Sequence, residues 1–405
     1  MALNIGLGIS TKRDPILAAK EAFAAAITNI PDQKVDLAIL FSTVNLTSLS
    51  LLKTISAALG TDVPIIGCSG AAVISNQGIF KHGLTLLLLR LPKNVFLNTA
   101  SVTDIKAKTA LNAGEELGQK LLYGFKNVTR DLSIIFSDGL IEENSKLVYG
   151  LQEKLGRSFP LIGASASDDL MFKRTYLYHN QQIFSDGACG VLFGGKLNFG
   201  LGINHGWKPL GKPREVTKCS GNIVYEIDHA PAVKLYEEYF ACDLAELKKK
   251  LHYISILYPI GVFLTGEEEY LLRNLLSIKD DGSLLFQGNV PQESMIRLMI
   301  GTKESCLNAT KHAVEQAEKN FYISKTGQRT KDGTNFVLVF DSVSRYILLR
   351  RDAEKELDII KKSLGQDIPI IGIYTYGEQA PLQAISYHGQ TYVHNQTVNV
   401  LILGG

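Results

Sequence analysis

The sequence predicts an α/β protein in which βαβ-type quasi-repeats form two mixed, mainly parallel sheets with flanking helices, one sheet per half. Three observations carry this. A short apolar, β-rich run recurs as Val35-Asp-Leu-Ala-Ile-Leu-Phe-Ser42, as Arg130-Asp-Leu-Ser-Ile-Ile-Phe-Ser137 and, more loosely, as Thr334-Asn-Phe-Val-Leu-Val-Phe-Asp341. Such a run fits a strand buried on both faces. Apolar residues at helical spacing follow each one: Leu49, Leu52, Ile55 and Leu59; Leu147, Leu151 and Leu155; Leu357, Ile360 and Leu364. Each unit then closes on one phrase, Pro64-Ile-Ile-Gly67, Pro160-Leu-Ile-Gly163 or Pro369-Ile-Ile-Gly372.

Taken in order, the elements follow from local chemistry. Asp14 followed by Pro15 reads as the cap and first position of a helix. Strand, helix and short strand make a βαβ unit with a right-handed crossover. The proline starts the closing strand where a missing N–H is tolerated, and the glycine is expected to let the chain turn at its end. Outgoing strands follow at Gly83–Leu89, Gly187–Phe193 and Thr397–Leu403. A fourth phrase, Tyr258-Pro-Ile-Gly261, keeps the spacing of roughly one hundred residues and suggests a decayed copy within 196–300. A break at Gly194-Gly195-Lys196 divides the chain into two domains, 1–198 and 199–405.

Composition narrows the function classes. The 405 residues carry 42 Lys+Arg against 40 Asp+Glu, a net charge of +2, with no long basic run. A nucleic-acid or anionic-membrane surface is therefore not expected to be its main business. The start has no basic segment followed by a cleavage signal, and the longest apolar run, Leu84 to Leu91, is too short for a bilayer. Five scattered cysteines without a C-x-x-C argue against a disulfide framework or a zinc ribbon. A cytoplasmic location without membrane insertion is expected, and no cofactor or metal.

Enzyme motifs are mostly missing. The sequence has no G-x-x-x-x-G-K-[ST] and no H-E-x-x-H, and Gly6-Leu-Gly8 lacks the third glycine of a dinucleotide fingerprint. Gly67-Cys-Ser-Gly-Ala71 approaches a nucleophile elbow, yet turn formers follow it where a helix is needed. A small-molecule hydrolase using Ser69 or Cys68 stays open as an alternative, and so does a ligand-free scaffold.

Several phrases resemble one family. In the first half these are Asp14-Pro-Ile-Leu-Ala-Ala-Lys-Glu-Ala22, Leu37-Ala-Ile-Leu-Phe-Ser42, Pro64-Ile-Ile-Gly-Cys-Ser-Gly70 and Pro160-Leu-Ile-Gly-Ala-Ser-Ala166. In the second they are Trp207-Lys-Pro-Leu-Gly211, Val216-Thr217, Gly221 to Asp228 with Pro231-Ala232, and Asp281-Gly-Ser-Leu-Leu-Phe286. Gly372-Ile-Tyr-Thr-Tyr-Gly-Glu378 and His394-Asn-Gln-Thr397 are the most specific. The chain is similar to the FIST family of sensory domains, with both N-terminal and C-terminal modules. The resemblance implies a small-molecule ligand, such as an amino acid. With no transmitter after Gly405, it also implies output to a separate protein such as a kinase or cyclase. Where the family commonly shows Cys then Gly and Arg, this chain has Asp341-Ser-Val-Ser-Arg345, which puts a thiol role there in doubt.

In open parallel sheets ligands bind at the carboxyl ends of strands. The loops after the repeated runs offer Ser42 and Asn45, Ser137 and Asp138, and Arg345. Those after the closing strands offer Cys68 and Ser69, Ser165 and Asp168, and Thr375, Tyr376 and Glu378. Small polar residues beside glycines suit a nest for an anion, though they are also ordinary turn residues. Arg345 and Glu378 match the carboxylate and ammonium of an amino acid, or else pair with each other. His394-Asn395 precedes the last strand and either faces the same cavity or is structural.

Overall fold

The computed structural model describes residues 3–264, 269–324, 335–382 and 389–404. Thr334, the first residue of the third repeated run, lies outside them. Three units share one order: strand, helix, strand, helix, strand, hairpin, strand. The first unit runs through Asn4–Ser10, Pro15–Ile27, Leu37–Thr43, Leu49–Leu59, Ile65–Gly70, the hairpin Val73–Ser75 with Gly78–Phe80, and Leu84–Arg90. The second runs through Phe96–Thr103, Ala110–Leu121, Arg130–Ser137, Asn144–Leu155, Leu161–Ser165, the hairpin Leu177–His179 with Gln182–Phe184, and Gly187–Gly194. The third has Asn198–Asn204, Lys303–Ser324, Asn335–Ser342, Glu354–Leu364, Ile370–Thr375, the hairpin Gly377–Pro381 with Thr391–His394, and Val398–Gly404. The N-cap read at Asp14 is present, its carboxylate accepting the Leu17 amide at 2.8 Å.

The α/β class holds, but the strands of the described residues form four sheets, which do not divide by halves. Three have six strands and one has eight. Within each unit only the repeated run and the closing strand pair in parallel. The outgoing strand returns between the first strand and the central one, antiparallel to both. A run buried on both faces carries no mark of its partner's direction, so "mainly parallel" did not follow from apolarity.

Each hairpin leaves its own unit. The first unit's hairpin pairs with Ile370–Thr375 of the third, the second unit's with Ile65–Gly70 of the first, and the third unit's with Leu161–Ser165 of the second. The arrangement is cyclic, and every unit completes its neighbour's sheet. At its centre the phenylalanines of the three repeated runs, Phe41, Phe136 and Phe340, meet edge to face. Their ring centroids lie 5.5, 5.8 and 6.1 Å apart. All three are fully buried in a core fed by all three units, and the helices cover the outer sheet faces with cores of their own.

The fourth phrase is not a decayed βαβ unit. Ile260–Phe263 pairs antiparallel with Tyr270–Arg273 and with Met295–Ile300. It belongs to an eight-stranded antiparallel insertion over 208–300 with a separate apolar core. No buried run precedes it to serve as a parallel partner, so the proline-glycine phrase alone misled.

The recurring glycines lie inside strands rather than at a turn. A Cβ on Gly67, Gly163 or Gly372 would sit 1.8, 2.2 or 2.4 Å from the main-chain oxygen of Leu40, Ile135 or Val339 on the parallel neighbour. Glycine is required there by close approach of two backbones. Gly163→Ala is expected to lower stability by roughly 3 kcal/mol, read from urea or thermal unfolding. Among the described residues no helix is long and apolar enough to cross a membrane.

Candidate functional site

The closing strands meet at the centre of the molecule and bind one another. Ser167 Oγ donates to the Tyr374 carbonyl at 2.7 Å, the Ala71 amide donates to Ser167 Oγ at 2.9 Å, and Ser69 Oγ donates to the Ser167 carbonyl at 2.8 Å. The strand ends on which the sequence focuses thus occupy three places around this junction, one per unit.

In the first unit, Ser42 Oγ and Thr47 Oγ1 both hydrogen-bond the Tyr178 hydroxyl at 2.6 Å, and Tyr178 arrives on the second unit's hairpin. Exposed Asn45 accepts the Thr43 hydroxyl at 2.6 Å. Cys68 and Ser69 are fully buried. Burial, with Cys189 beside it, pushes the Cys68 thiol well above its usual range.

In the third unit, Arg345 is fully buried and engaged on every side. Its Nε donates to Asp341 at 2.8 Å, its Nη1 to the His205 carbonyl at 2.9 Å, and its Nη2 to Thr310 at 2.8 Å and to Glu356. Burial works against its charge, and Glu356 and Asp341 outweigh it. Arg345 and Glu378 do not pair directly. Glu378 accepts hydrogen bonds from Thr375 Oγ1 at 3.0 Å and from Thr397 Oγ1 at 2.8 Å, and burial raises its pKa to about 8. His394 bonds the Ala380 carbonyl through Nε2 at 2.9 Å, and burial lowers its pKa to about 3, so it is neutral.

The second unit is different, because its strand ends border open space. A cavity of about 420 Å³ lies between the loop at 139–143 with the start of the helix Asn144–Leu155, the third unit's hairpin and the insertion. Ser165, Phe172, Gly377, Gln287 and Asn395 line it. Gln379 Nε2 donates to Ser137 Oγ at 2.9 Å and to Ser165 Oγ at 3.1 Å, which fixes that wall. Asp138 accepts the Thr175 hydroxyl at 2.5 Å and the Asp186 amide at 2.6 Å. Asp168 ties down its own loop, accepting the amides of Met171, Phe172, Lys173 and Arg174 at 2.8–3.1 Å. The Tyr376 hydroxyl also donates to Asp168, and the Tyr376 ring stacks on Phe172 with centroids 4.4 Å apart. Burial opposes the Asp168 charge, and these donors more than offset it, holding its pKa below the usual value.

A second cavity of about 300 Å³ adjoins the first, and the two share Ser145 and Val393. Around the pair, Asn144 Oδ1, Ser145 Oγ, Gln152 Oε1 and Asn395 Oδ1 are buried without a hydrogen-bond partner among the described residues. Leaving such a buried atom without a partner costs about 1–3 kcal/mol, so these four are the costly polar atoms around the cavities. Among the described residues no group of three or more His, Cys, Asp or Glu could hold a metal ion.

Of the residues singled out from the sequence, Ser165 and Asn395 line the larger cavity, and Ser137, Asp138, Asp168 and Tyr376 build its walls. Ser42, Asn45, Cys68, Ser69, Arg345, Thr375, Glu378 and His394 line neither cavity. Sequence reasoning missed Asn144, Ser145, Gln152 and Arg273. Arg273 had a legible signal, a lone cation inside the apolar run Leu271-Leu-Arg-Asn-Leu-Leu276.

Comparison with known proteins adds the following. An uncharacterized protein of Methanocaldococcus jannaschii is 23% identical over 352 residues, covering 80% of this chain, which spans 65% of that protein's length. One from Mycobacterium tuberculosis is 21% identical over 407 residues, covering 99% of both chains. Among solved structures, cyanuric acid hydrolase from A. caulinodans aligns over 99% of both chains with a TM-score of 0.41 and 8% identity. The model of the FIST N domain matches residues 36–230 and that of the FIST C domain matches residues 232–381. With most of its length covered by these two matches, the chain belongs to the FIST family.

Proposed function

We propose that this protein is a sensor that binds a small polar ligand in the double cavity of the second unit and passes the signal to a separate protein. The carrying observation is the grouping of polar atoms from Asn144, Ser145 and Asn395, unpartnered among the described residues, around a glycine-bordered cavity of about 420 Å³. That volume suits a ligand of metabolite size with a few fixed polar contacts. Binding rather than catalysis is supported by Ser69, whose hydroxyl is committed to the Ser167 carbonyl, and by Cys68, whose thiol burial keeps protonated.

A route to the surface is at hand. Phe172 lines the cavity while its side chain is 56% exposed, beside Met171 at 53%. A ligand that repositions Phe172 against Tyr376 changes an apolar surface that a kinase, cyclase or other output protein can read.

A thermal-shift screen of amino acids and organic acids tests the reading. A true ligand at one hundred times its Kd stabilises by about 2.7 kcal/mol, several degrees in Tm. Asn395→Leu is expected to abolish that stabilisation while the unliganded Tm holds. A ligand whose effect survives Asn395→Leu binds elsewhere, and the cleft assignment fails.

A further inference from the structure

Two arginines of this chain are buried to the same depth and treated in opposite ways. Arg345 has two carboxylates against it. Arg273, only 3% exposed, has none among the described residues. Its Nε donates to the Asn289 carbonyl at 2.9 Å, and its Nη1 donates to the carbonyls of Leu272 at 2.9 Å and Val393 at 3.0 Å. These are neutral acceptors on three separate segments, and Nη2 donates to no protein atom among the described residues. Burial alone acts on its pKa, lowering it to about 10, so the group stays charged near neutrality. A buried charge without a counter-charge is expensive unless something supplies one.

The surroundings favour an anion. Arg273 lines the cavity of about 300 Å³ together with Ser145, Gln152, Asn289 and Lys146, and among the described residues no Asp or Glu lines it. Ser145 Oγ is a buried hydroxyl with no partner among the described residues and has a proton to donate. Lys146 stands at the rim, half exposed and paired with Glu143. Gly288 lets the guanidinium lie flat against the backbone: a Cβ there would fall 3.0 Å from Nε and 3.2 Å from Cζ. The three carbonyls take the Nε–H and the two Nη1 donors, and the Nη2 donors remain for an oxyanion.

We infer that the smaller cavity is an oxyanion subsite in which Arg273 and Ser145 receive a carboxylate or phosphate group of the ligand. This deepens the sensor reading and rests on the double cavity being the ligand site. Arg273 then acts as the anchor, while the larger cavity, walled by Phe172, Ile223, Leu276 and Phe286, takes the remainder of the molecule.

The test uses the full chain, labelled with 15N-arginine, titrated with sodium acetate or inorganic phosphate against sodium chloride at matched ionic strength. The Arg273 Nε–H resonance is identified by its loss in Arg273→Lys. A saturable shift with acetate alone assigns a carboxylate, one with phosphate alone assigns a phosphate, and one with both assigns the shared oxyanion chemistry. Ser145→Ala is expected to weaken the response about fivefold, the loss of one hydrogen bond of about 1 kcal/mol. The titration is read in wild type, and Arg273→Lys keeps the charge, so the test depends on no disruptive substitution at this site. A resonance unmoved by both anions overturns the inference. Asn395-dependent stabilisation by a neutral ligand would in that case leave the sensor reading standing.

Discussion

Phe340→Ala is expected to lower the stability of the whole chain by about 3–5 kcal/mol, the upper range for a single core truncation. Phe340 is fully buried and touches Phe41 and Phe136 edge to face, so alanine leaves a cavity that faces all three units at once. The site can collapse only by moving a central strand, and each central strand is held on both sides by ladder hydrogen bonds. Urea unfolding followed by circular dichroism and by tyrosine fluorescence reads the effect. Both probes should shift together, because the rings join the units into one core. Phe172→Ala, truncating an exposed ring, is the matching control and should cost less than about 1 kcal/mol. If Phe340→Ala and Phe172→Ala move the midpoint equally, the central triad is not the keystone described here.

The second large effect is a fall in stability as pH rises. Glu378 is fully buried, and burial lifts its pKa to about 8 against the pull of Thr397, Thr375 and the more distant Arg345. Unfolded, the same carboxyl titrates near its ordinary value of roughly 4.3. The folded state therefore holds one proton more than the unfolded state between about pH 4.5 and pH 8. Its stabilising contribution is complete below that window and is lost as pH climbs through it, by up to about 1.4 kcal/mol per unit. Denaturation midpoints from pH 5 to pH 8 measure the slope. Glu378→Gln keeps the shape, removes the titrating proton and should flatten part of that slope. A wild-type curve that is level or rising across the window would refute this account of the cluster.

Which features were legible follows from the range of the interactions that set them. Local pattern sufficed for the strand-helix-strand units, for the cap at Asp14 and for the equivalence of Phe41, Phe136 and Phe340, because each lies within one stretch of chain. Direction of pairing was not legible. Leu84–Arg90 is apolar on both faces and would fit beside any buried strand. The exchange of hairpins was invisible for the same reason, since Val73–Ser75 pairs with residues some three hundred positions away. Arg345 and Glu378 have the right chemistry for an amino acid, but their neighbours, Glu356 and Thr397, are chosen by packing rather than by spacing. Arg273 shows the converse. In the sequence it is one cation in an apolar run and drew no reading, and only the folded chain reveals that no acid among the described residues stands beside it.

The cyclic loan of hairpins bears on how a growing polypeptide reaches this state. The hairpin at Val73–Phe80 is synthesised some three hundred residues before the sheet edge it joins, Ile370–Thr375. Until then an early β-ribbon and an unpaired strand edge wait in solution, and unpaired edges invite pairing with other chains. Ring closure is thus the late, entropically demanding step, which predisposes a truncated or stalled chain to aggregate or to swap hairpins with a second copy. Once closed, the ring leaves no unit able to open alone without stripping an edge from its neighbour.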